Sequence, residues 1–429
     1  MRLTSRGRER LTPLLLLLMV LALLAVLLAA VTVTTGCSRS ATAAPAGTSL
    51  GETGGSELVT RVVLSGSDLG LAFGSEPEVT SPAAVLISLD SGQTLYERNA
   101  HKRMRMASTT KIMTAVLVLE KMDLKERVKV STKAASTYEP KAWVRAGDVL
   151  TVDELLYALL VRSANAAAVA LAEACSGSVE TFVAEMNRKA AELGMRDTQF
   201  ANPHGLDDDA HYSTAADMAV LGRYAMEDER FRRYVSTRTY ELALPGRSPL
   251  LLSNTNKLVH EYPWVTGVKT GSTPKAEQCL VAAGRRDQVE VLSVVLGQPV
   301  SDLCFEESRK LLEYGLSQRR RVVLLAKGAV VAEAPLPYRF DETLKLVATE
   351  GVELEVGARE EVEVDFSVPG DLALPVQAGQ VCGEVRVKVD GKLLKTVPLA
   401  ATVSAGVPTL AAKIRYGFAS IGRWVSGIF

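Results

Sequence analysis

Residues 107–120 read ASTTKIMTAVLVLE. From Ile112 to Leu119 the apolar side chains leave almost no polar face on a helix. A helix of that kind belongs in the interior of a sizeable domain. Yet Ser108 and Lys111 stand at its very start. Three residues is about one helical turn, so the two share a face. A lysine opening a buried helix is costly to keep charged. Desolvation lowers its pKa, and a second nearby cation lowers it further. A neutral lysine amine can take the proton of a serine hydroxyl and make a nucleophile without histidine. The helix start also offers free backbone N–H groups and a positive dipole end. The plainer alternative is that Ser108 caps the helix and Lys111 is a first-turn surface residue. Ser272-Thr273-Pro274-Lys275 has the same S-x-x-K spacing, so the spacing alone decides nothing.

The surrounding text supplies the domain. AAVLISLDSGQTLYERNA has two apolar runs around Asp90-Ser91-Gly92, a hairpin signal. Helical text follows from Ser108 to about Met122, in TVDELLYALLV with Thr151 as N-cap, in NAAAVALAEAC, in VETFVAEMNRKAAELG and in TAADMAVLGRYAM. The period then changes. WVTGVKT, QCLVAAGR and VEVLSVVLG read as strands, with turns expected at Gly271-Ser272 and Arg285–Asp287. CFEESRKLLEYGL closes this section as a helix. A hairpin, a helical block, strands and a helix make an α+β domain over 81–318. From about Arg319 the text alternates apolar and polar residues in VELEV, EEVEVDFSV and GEVRVKVDGKLLKTVPL, with a hairpin turn at Asp390-Gly391. That predicts a small β domain over 319–405.

The ends of the chain point to a membrane. Arg2, Arg6, Arg8 and Arg10 precede LTPLLLLLMVLALLAVLLAAV, an export signal that sets residues 1–37 apart. Three outcomes stay open: cleavage at Ala41-Thr42-Ala43, lipidation of Cys37 in TTGC, or an uncleaved anchor over Leu14 to about Val33. Each places the rest of the chain outside the cytoplasm. Residues 38–80 read as a flexible tether, with at most a short ordered piece at ELVTRVVL. At the other end, Leu410, Ile414, Phe418, Ile421, Val425 and Ile428 share one helical face, with Lys413, Arg415, Arg423 and Trp424 beside them. Residues 406–429 are expected as an amphipathic helix on the membrane surface. Lys plus Arg equals Asp plus Glu at 49 each, and no basic tract supports nucleic-acid binding. The five cysteines and four histidines show no metal-binding spacing, and no cofactor is expected.

Among nucleophile motifs, G-x-S-x-G occurs at Gly47–Gly51, but in the tether, without the strand and helix that a nucleophile elbow requires. Two further motifs bear on Ser108. Ser163-Ala164-Asn165 lies between two apolar helical runs, and Lys269-Thr270-Gly271 ends an apolar strand. Together they are the S-x-x-K, S-x-N and K-T-G set of penicillin-binding proteins and serine β-lactamases. With AAVLISLDSGQTLYERNAHKRM, ANPHGLDDDAHYSTAADMA, CLVAAG and PVQAGQVCGEVRVKVDGKLLKTVPL, the chain resembles the low-molecular-mass penicillin-binding proteins that are D-alanyl-D-alanine carboxypeptidases, serine peptidase family S11.

The resemblance covers about residues 81–405 and implies a division of labour. Ser108 attacks the carbonyl between the last two D-alanines of a peptidoglycan stem peptide, and Lys111 accepts its proton. Ser163 relays a proton to the leaving D-alanine, and Asn165 binds substrate amide. Lys269 and Thr270 hold the substrate carboxylate, next to Gly271. The N–H groups of Ser108 and Ser272 form the oxyanion hole. β-Lactams are implied as inhibitors. Two departures from the family pattern stand out: Cys304 before Phe305, where arginine is common, and Ala276-Glu277 in place of Ala-Gly after K-T-G. A DD-endopeptidase, a β-lactamase of the same fold and a wall-associated relic without activity are the rival readings. No E-x-x-L-N string is present to support the lactamase.

Overall fold

The computed structural model describes residues 57–426, apart from 70, 72–73, 140–142, 245, 340–341 and 371. The export segment, Cys37, the Ala41–Ala43 site and most of the tether lie outside the described residues. Strand β1 (Glu57–Ser65) comes first, then the hairpin β2 (Ala83–Ser88) and β3 (Thr94–Arg98). Two short antiparallel pairs follow, β4 (Arg127–Lys129) with β5 (Val149–Thr151), and β6 (Thr239–Leu242) with β7 (Leu250–Ser253). Next come β8 (Val265–Thr273), β9 (Glu277–Arg286) and β10 (Val289–Gln298). The remaining strands are β11 (Arg319–Leu325), β12 (Val330–Pro335), β13 (Thr343–Ala348), β14 (Val352–Gly357), β15 (Glu361–Pro369), β16 (Val381–Val389) and β17 (Lys392–Ala401).

The α+β expectation holds. β3-β2-β10-β9-β8 form an antiparallel five-stranded sheet, with β8 at its edge. Side chains alternate across a strand, so one sheet feeds two cores. Val85, Ile87, Val281, Leu292 and Val294 join the helical block. Ala84, Leu86, Leu280 and Val291 pack against Leu311, Leu312 and Leu316 of the helix Ser301–Gln318. The helix Lys111–Lys121 is buried on every face from Lys111 to Leu119, as its composition demands. The helix Val152–Leu160 starts at a capping box in which Thr151 and Glu154 satisfy each other's end groups.

Two local expectations change. Gly271-Ser272 is no turn: β8 runs on to Thr273, and the reversal falls at 274–276. The α-helix begins at Lys111, preceded by a 3₁₀ turn, Ala107–Thr110, that holds Ser108. Glu277 opens β9 with φ +57°, where the sequence comparison noted a missing glycine.

Beyond Arg319 the chain is all strand until the final helix. β1-β15-β16-β17-β13-β12 form a six-stranded antiparallel sheet, and β11 pairs with β14. The ordered piece foreseen at ELVTRVVL is β1. It is no isolated tether fragment but an edge strand of the C-terminal domain, pinned by Arg61 to Asp365 at 2.6 Å. The two domains are joined through a buried charge cluster. Arg319 donates to Glu355, to Gln93 of the β2–β3 turn and to Glu360 at 3.3 Å. Ser88 Oγ donates to Glu355 at 2.8 Å. The Arg319 and Glu355 side chains are 2% and 1% exposed. Removing one partner strands the other charge in a dry site. Arg319→Met is therefore expected to lower unfolding stability by about 3–5 kcal/mol, measured by denaturant titration. A loss under about 1 kcal/mol would show that water screens this junction.

Candidate active site

The site forms where the edge strand β8 passes the 3₁₀ turn carrying Ser108. Three polar groups surround the Lys111 amine: Ser108 Oγ at 2.8 Å, Asn165 Oδ1 at 2.7 Å and the His204 carbonyl at 2.6 Å. The Asn165 amide is oriented by its Nδ2 donating to the Tyr138 carbonyl at 2.8 Å. Lys111 is fully buried, and among the described residues no carboxylate lies within ion-pair distance of it. Burial lowers its pKa well below the ordinary lysine value, and the charge of Lys269 lowers it further. A neutral amine has two N–H donors and one lone pair. As an ammonium, Lys111 Nζ donates to all three oxygens, and the Ser108 hydroxyl then donates to the His204 carbonyl at 3.4 Å. As a neutral amine, it keeps the two carbonyl acceptors and turns its lone pair to the Ser108 hydroxyl, the arrangement that a general base requires.

Lys269, on β8, is also buried, and burial lowers its pKa to about 7. Its Nζ donates to the neighbouring Thr270 carbonyl at 3.0 Å and to Thr270 Oγ1 at 3.5 Å. It presents the second cation that pushes Lys111 toward the neutral form. Thr270 Oγ1 lies 2.6 Å from Thr255 Oγ1. Gly271 packs so closely that a Cβ there would sit 2.9 Å from Ser108 N and 3.0 Å from Met106 O. Only glycine lets β8 pass this close to the nucleophile's backbone. Ser272 follows it in the strand and is exposed.

Ser163 occupies the turn before the helix Asn165–Ser176, with φ +68°. Its hydroxyl makes no hydrogen bond among the described residues, so the structure joins it to the others by backbone position and not by contact. The helix it precedes has no cap from its own N-cap side chain. Glu139 supplies one from a distant loop, accepting from Ala166 N at 2.6 Å. Burial raises the Glu139 pKa, and its charge acts on Lys111 in the opposite sense to Lys269.

Several residues in this site had no role assigned from sequence. Ala107 has φ +46°, a strained setting immediately before the nucleophile. It is held by a chain of hydrogen bonds. Ala201 N donates to His211 Nδ1 at 2.9 Å, which leaves Nε2 as the protonated nitrogen. Nε2 meets Thr110 Oγ1 at 2.7 Å, and Thr110 donates to the Ala107 carbonyl at 2.7 Å. Burial lowers the His211 pKa to about 4 and that of His204 to about 3, so both rings are neutral near pH 7. Gly205, at φ +88°, closes the other side: a Cβ there would meet Ala107 O at 1.9 Å and Ser108 N at 2.9 Å. Of these, Ala201, His204, Gly205 and His211 lie in ANPHGLDDDAHYSTAADMA, whose function was legible only as resemblance. The two departures sit apart from the nucleophile: Cys304 is buried in the second core, and Glu277 is exposed at the strand start.

Gly205→Ala must displace the Ala107–Ser108 backbone. A shift of about 1 Å at a reacting atom costs on the order of 100-fold in rate. The expected result is a fall of that size in acylation of Ser108, with circular dichroism unchanged. Acylation within about threefold of the parent would show that the turn is free to relax.

Comparison with known proteins agrees with this geometry. Residues 72–300 match a family described as D-alanyl-D-alanine carboxypeptidase, and residues 321–405 match the C-terminal domain of penicillin-binding protein 5. The chain is 33% identical to the D-alanyl-D-alanine carboxypeptidase DacF of Bacillus subtilis, over 76% of this chain and 86% of that one. It is 30% identical to DacC of Escherichia coli, with the same coverages. Penicillin-binding protein 5 of Haemophilus influenzae superposes with a TM-score of 0.58 at 28% identity, over 78% of this chain and all of that one. The Streptomyces K15 DD-transpeptidase, as its S216A mutant, superposes at 0.55 and 31% identity, over 56% of this chain and all of that one. With Ser108, Lys111 and Asn165 in direct contact, Lys269-Thr270-Gly271 passing beside them on β8 and a family match spanning the catalytic domain, the chain belongs to the D-alanyl-D-alanine carboxypeptidases of serine peptidase family S11.

Proposed function

We propose that this enzyme removes the terminal D-alanine from peptidoglycan stem peptides through an acyl-enzyme on Ser108, and that penicillins acylate the same residue. The observation that carries the reading is the Lys111 amine, held by two carbonyl oxygens with its third neighbour the Ser108 hydroxyl. Ser108 Oγ attacks the carbonyl carbon of the penultimate D-alanine as its proton passes to Lys111 Nζ. The developing oxyanion is received by the N–H groups of Ser108 and Ser272. The proton then reaches the departing amine by way of Ser163, and free D-alanine leaves. Water releases the shortened peptide from Ser108. Lys269 and Thr270 bind the terminal carboxylate, and Asn165 both steadies Lys111 and faces the substrate amide. This route calls on no metal or cofactor.

The substrate is extracellular, so the reading includes export. The basic, apolar N-terminus supports it, and so does the described helix Leu410–Ser426, whose Leu410 and Ile414 are exposed. The enzyme then works at the outer face of the cytoplasmic membrane.

Incubation with a fluorescent penicillin is expected to label Ser108 durably, and a muropeptide ending in D-Ala-D-Ala is expected to release free D-alanine. Ser108→Ala should abolish both signals. Survival of either signal in that variant would refute the assignment of the nucleophile. Rapid turnover of the penicillin would instead identify a lactamase.

A further inference from the structure

Asn254-Thr255-Asn256 follows β7 and belongs to none of the three motifs. Asn254 and Asn256 are buried, whereas Thr255 between them is exposed. The two asparagines fasten the segment. Asn254 Nδ2 donates to the Val235 and Thr237 carbonyls at 3.1 and 2.9 Å, and its Oδ1 accepts from Asn256 N at 2.9 Å. Asn256 Nδ2 donates to the Gly267 carbonyl at 3.0 Å, two residues before Lys269 on β8. The Thr255 backbone is fixed as well: its N–H donates to the Val161 carbonyl at 3.0 Å, two residues ahead of Ser163. A buried polar network with its groups matched holds one geometry. Held from three directions, the segment offers the K-T-G strand a single hydroxyl.

That hydroxyl lies 2.6 Å from Thr270 Oγ1, and Lys269 Nζ approaches the same Thr270 oxygen at 3.5 Å. Each hydroxyl carries one proton and can accept as well as donate. Their mutual bond uses one proton and leaves the other for a ligand. Two donors this close suit the two oxygens of one carboxylate, which accepts through both. An arriving carboxylate exchanges the one neutral bond for two charge-assisted ones, which are roughly twice as strong each. The Lys269 ammonium beside Thr270 favours the same negative charge.

We propose that Thr255 is a further substrate-binding residue, its hydroxyl and that of Thr270 each holding one oxygen of the substrate's terminal carboxylate. Thr255 thereby makes the cleft selective for a free chain end. A C-terminal carboxamide has one acceptor oxygen and no charge, so one hydroxyl of the pair loses its bond and the other bond weakens. The inference rests on the reading that Lys269 and Thr270 receive the carboxylate, and it adds the second hydroxyl and the residue that carries it.

The test measures how strongly two soluble peptides compete with a fluorescent penicillin for the full chain. One ends in D-Ala-D-Ala and the other is its C-terminal carboxamide. The parent should prefer the free carboxylate. In Thr255→Val that preference should shrink about tenfold, the contribution of one hydrogen bond to a charged group, and Thr255→Ser should restore it. Circular dichroism should match the parent in both variants. Thr270→Val should also shrink the preference, which checks the underlying reading. A preference kept in Thr255→Val but reduced in Thr270→Val would overturn the proposal and leave the carboxylate site in place. Equal weakening of both peptides in Thr255→Val would make the residue a structural support and overturn the proposal. A preference untouched in Thr270→Val, or no competition by either peptide, would overturn the proposal together with the reading beneath it.

Discussion

A lysine amine without an ion-pair partner, sealed at the start of an apolar helix, is the constraint around which this protein is built. Burial of Lys111 as an ammonium would be costly; among the described residues no carboxylate pairs with it, and the charge of Glu139 offsets only part of the effect of burial. The site resolves the conflict by supplying acceptors for two N–H groups and a hydroxyl for the lone pair. Lys269 adds a cation at a distance that favours the same neutral state. In the proposed mechanism Lys269, its pKa lowered by burial to about 7, supplies the charge for an anionic substrate terminus. The two lysines are given opposite roles there, with burial acting on both and the Lys269 charge acting on Lys111.

The second constraint is crowding of the nucleophile's backbone. Gly205 and Gly271 press on Ala107 and Ser108 from two sides, and Ala107 and Ser163 both adopt positive φ. Non-glycine residues in that region cost on the order of 1–2 kcal/mol each. The strain persists because the buried His211–Thr110–Ala107 chain and the packed helix Lys111–Lys121 leave no room to relax it. A rigid mount of this kind costs no reorganisation at the moment of reaction.

Much of this was legible from the residues. The all-round apolar helix announced its burial, and the change from helical to alternating period marked the sheet. Asp90-Ser91-Gly92 and Asp390-Gly391 marked real hairpins because their turn chemistry is local. What escaped was non-local. Nothing near Glu57 reveals that β1 pairs with β15, some 300 residues on, because an edge strand carries no sign of its partner. Gly271 read as a turn glycine, when its task is close approach within a strand. His204 and His211 lie about a hundred residues from Ser108, and histidine spacing says nothing of a carbonyl or an imidazole brought in by tertiary packing. Ser108, Lys111 and Asn165 were found as motifs, and the structure joins them directly. Ser163 was found the same way, and it meets them through its turn alone.

The central claim is that Lys111 is a neutral amine in the resting enzyme. Its most direct test is the titration of the Lys111 side chain by NMR in protein carrying ¹³C,¹⁵N-lysine, with Lys111→Arg used for assignment. The account predicts a Cε and Nζ signal of amine type at pH 7, unchanged on raising the pH through 10.5, the ordinary lysine value. An ammonium signal at pH 7 that titrates near 10.5 would contradict it and remove the base from the proposed mechanism.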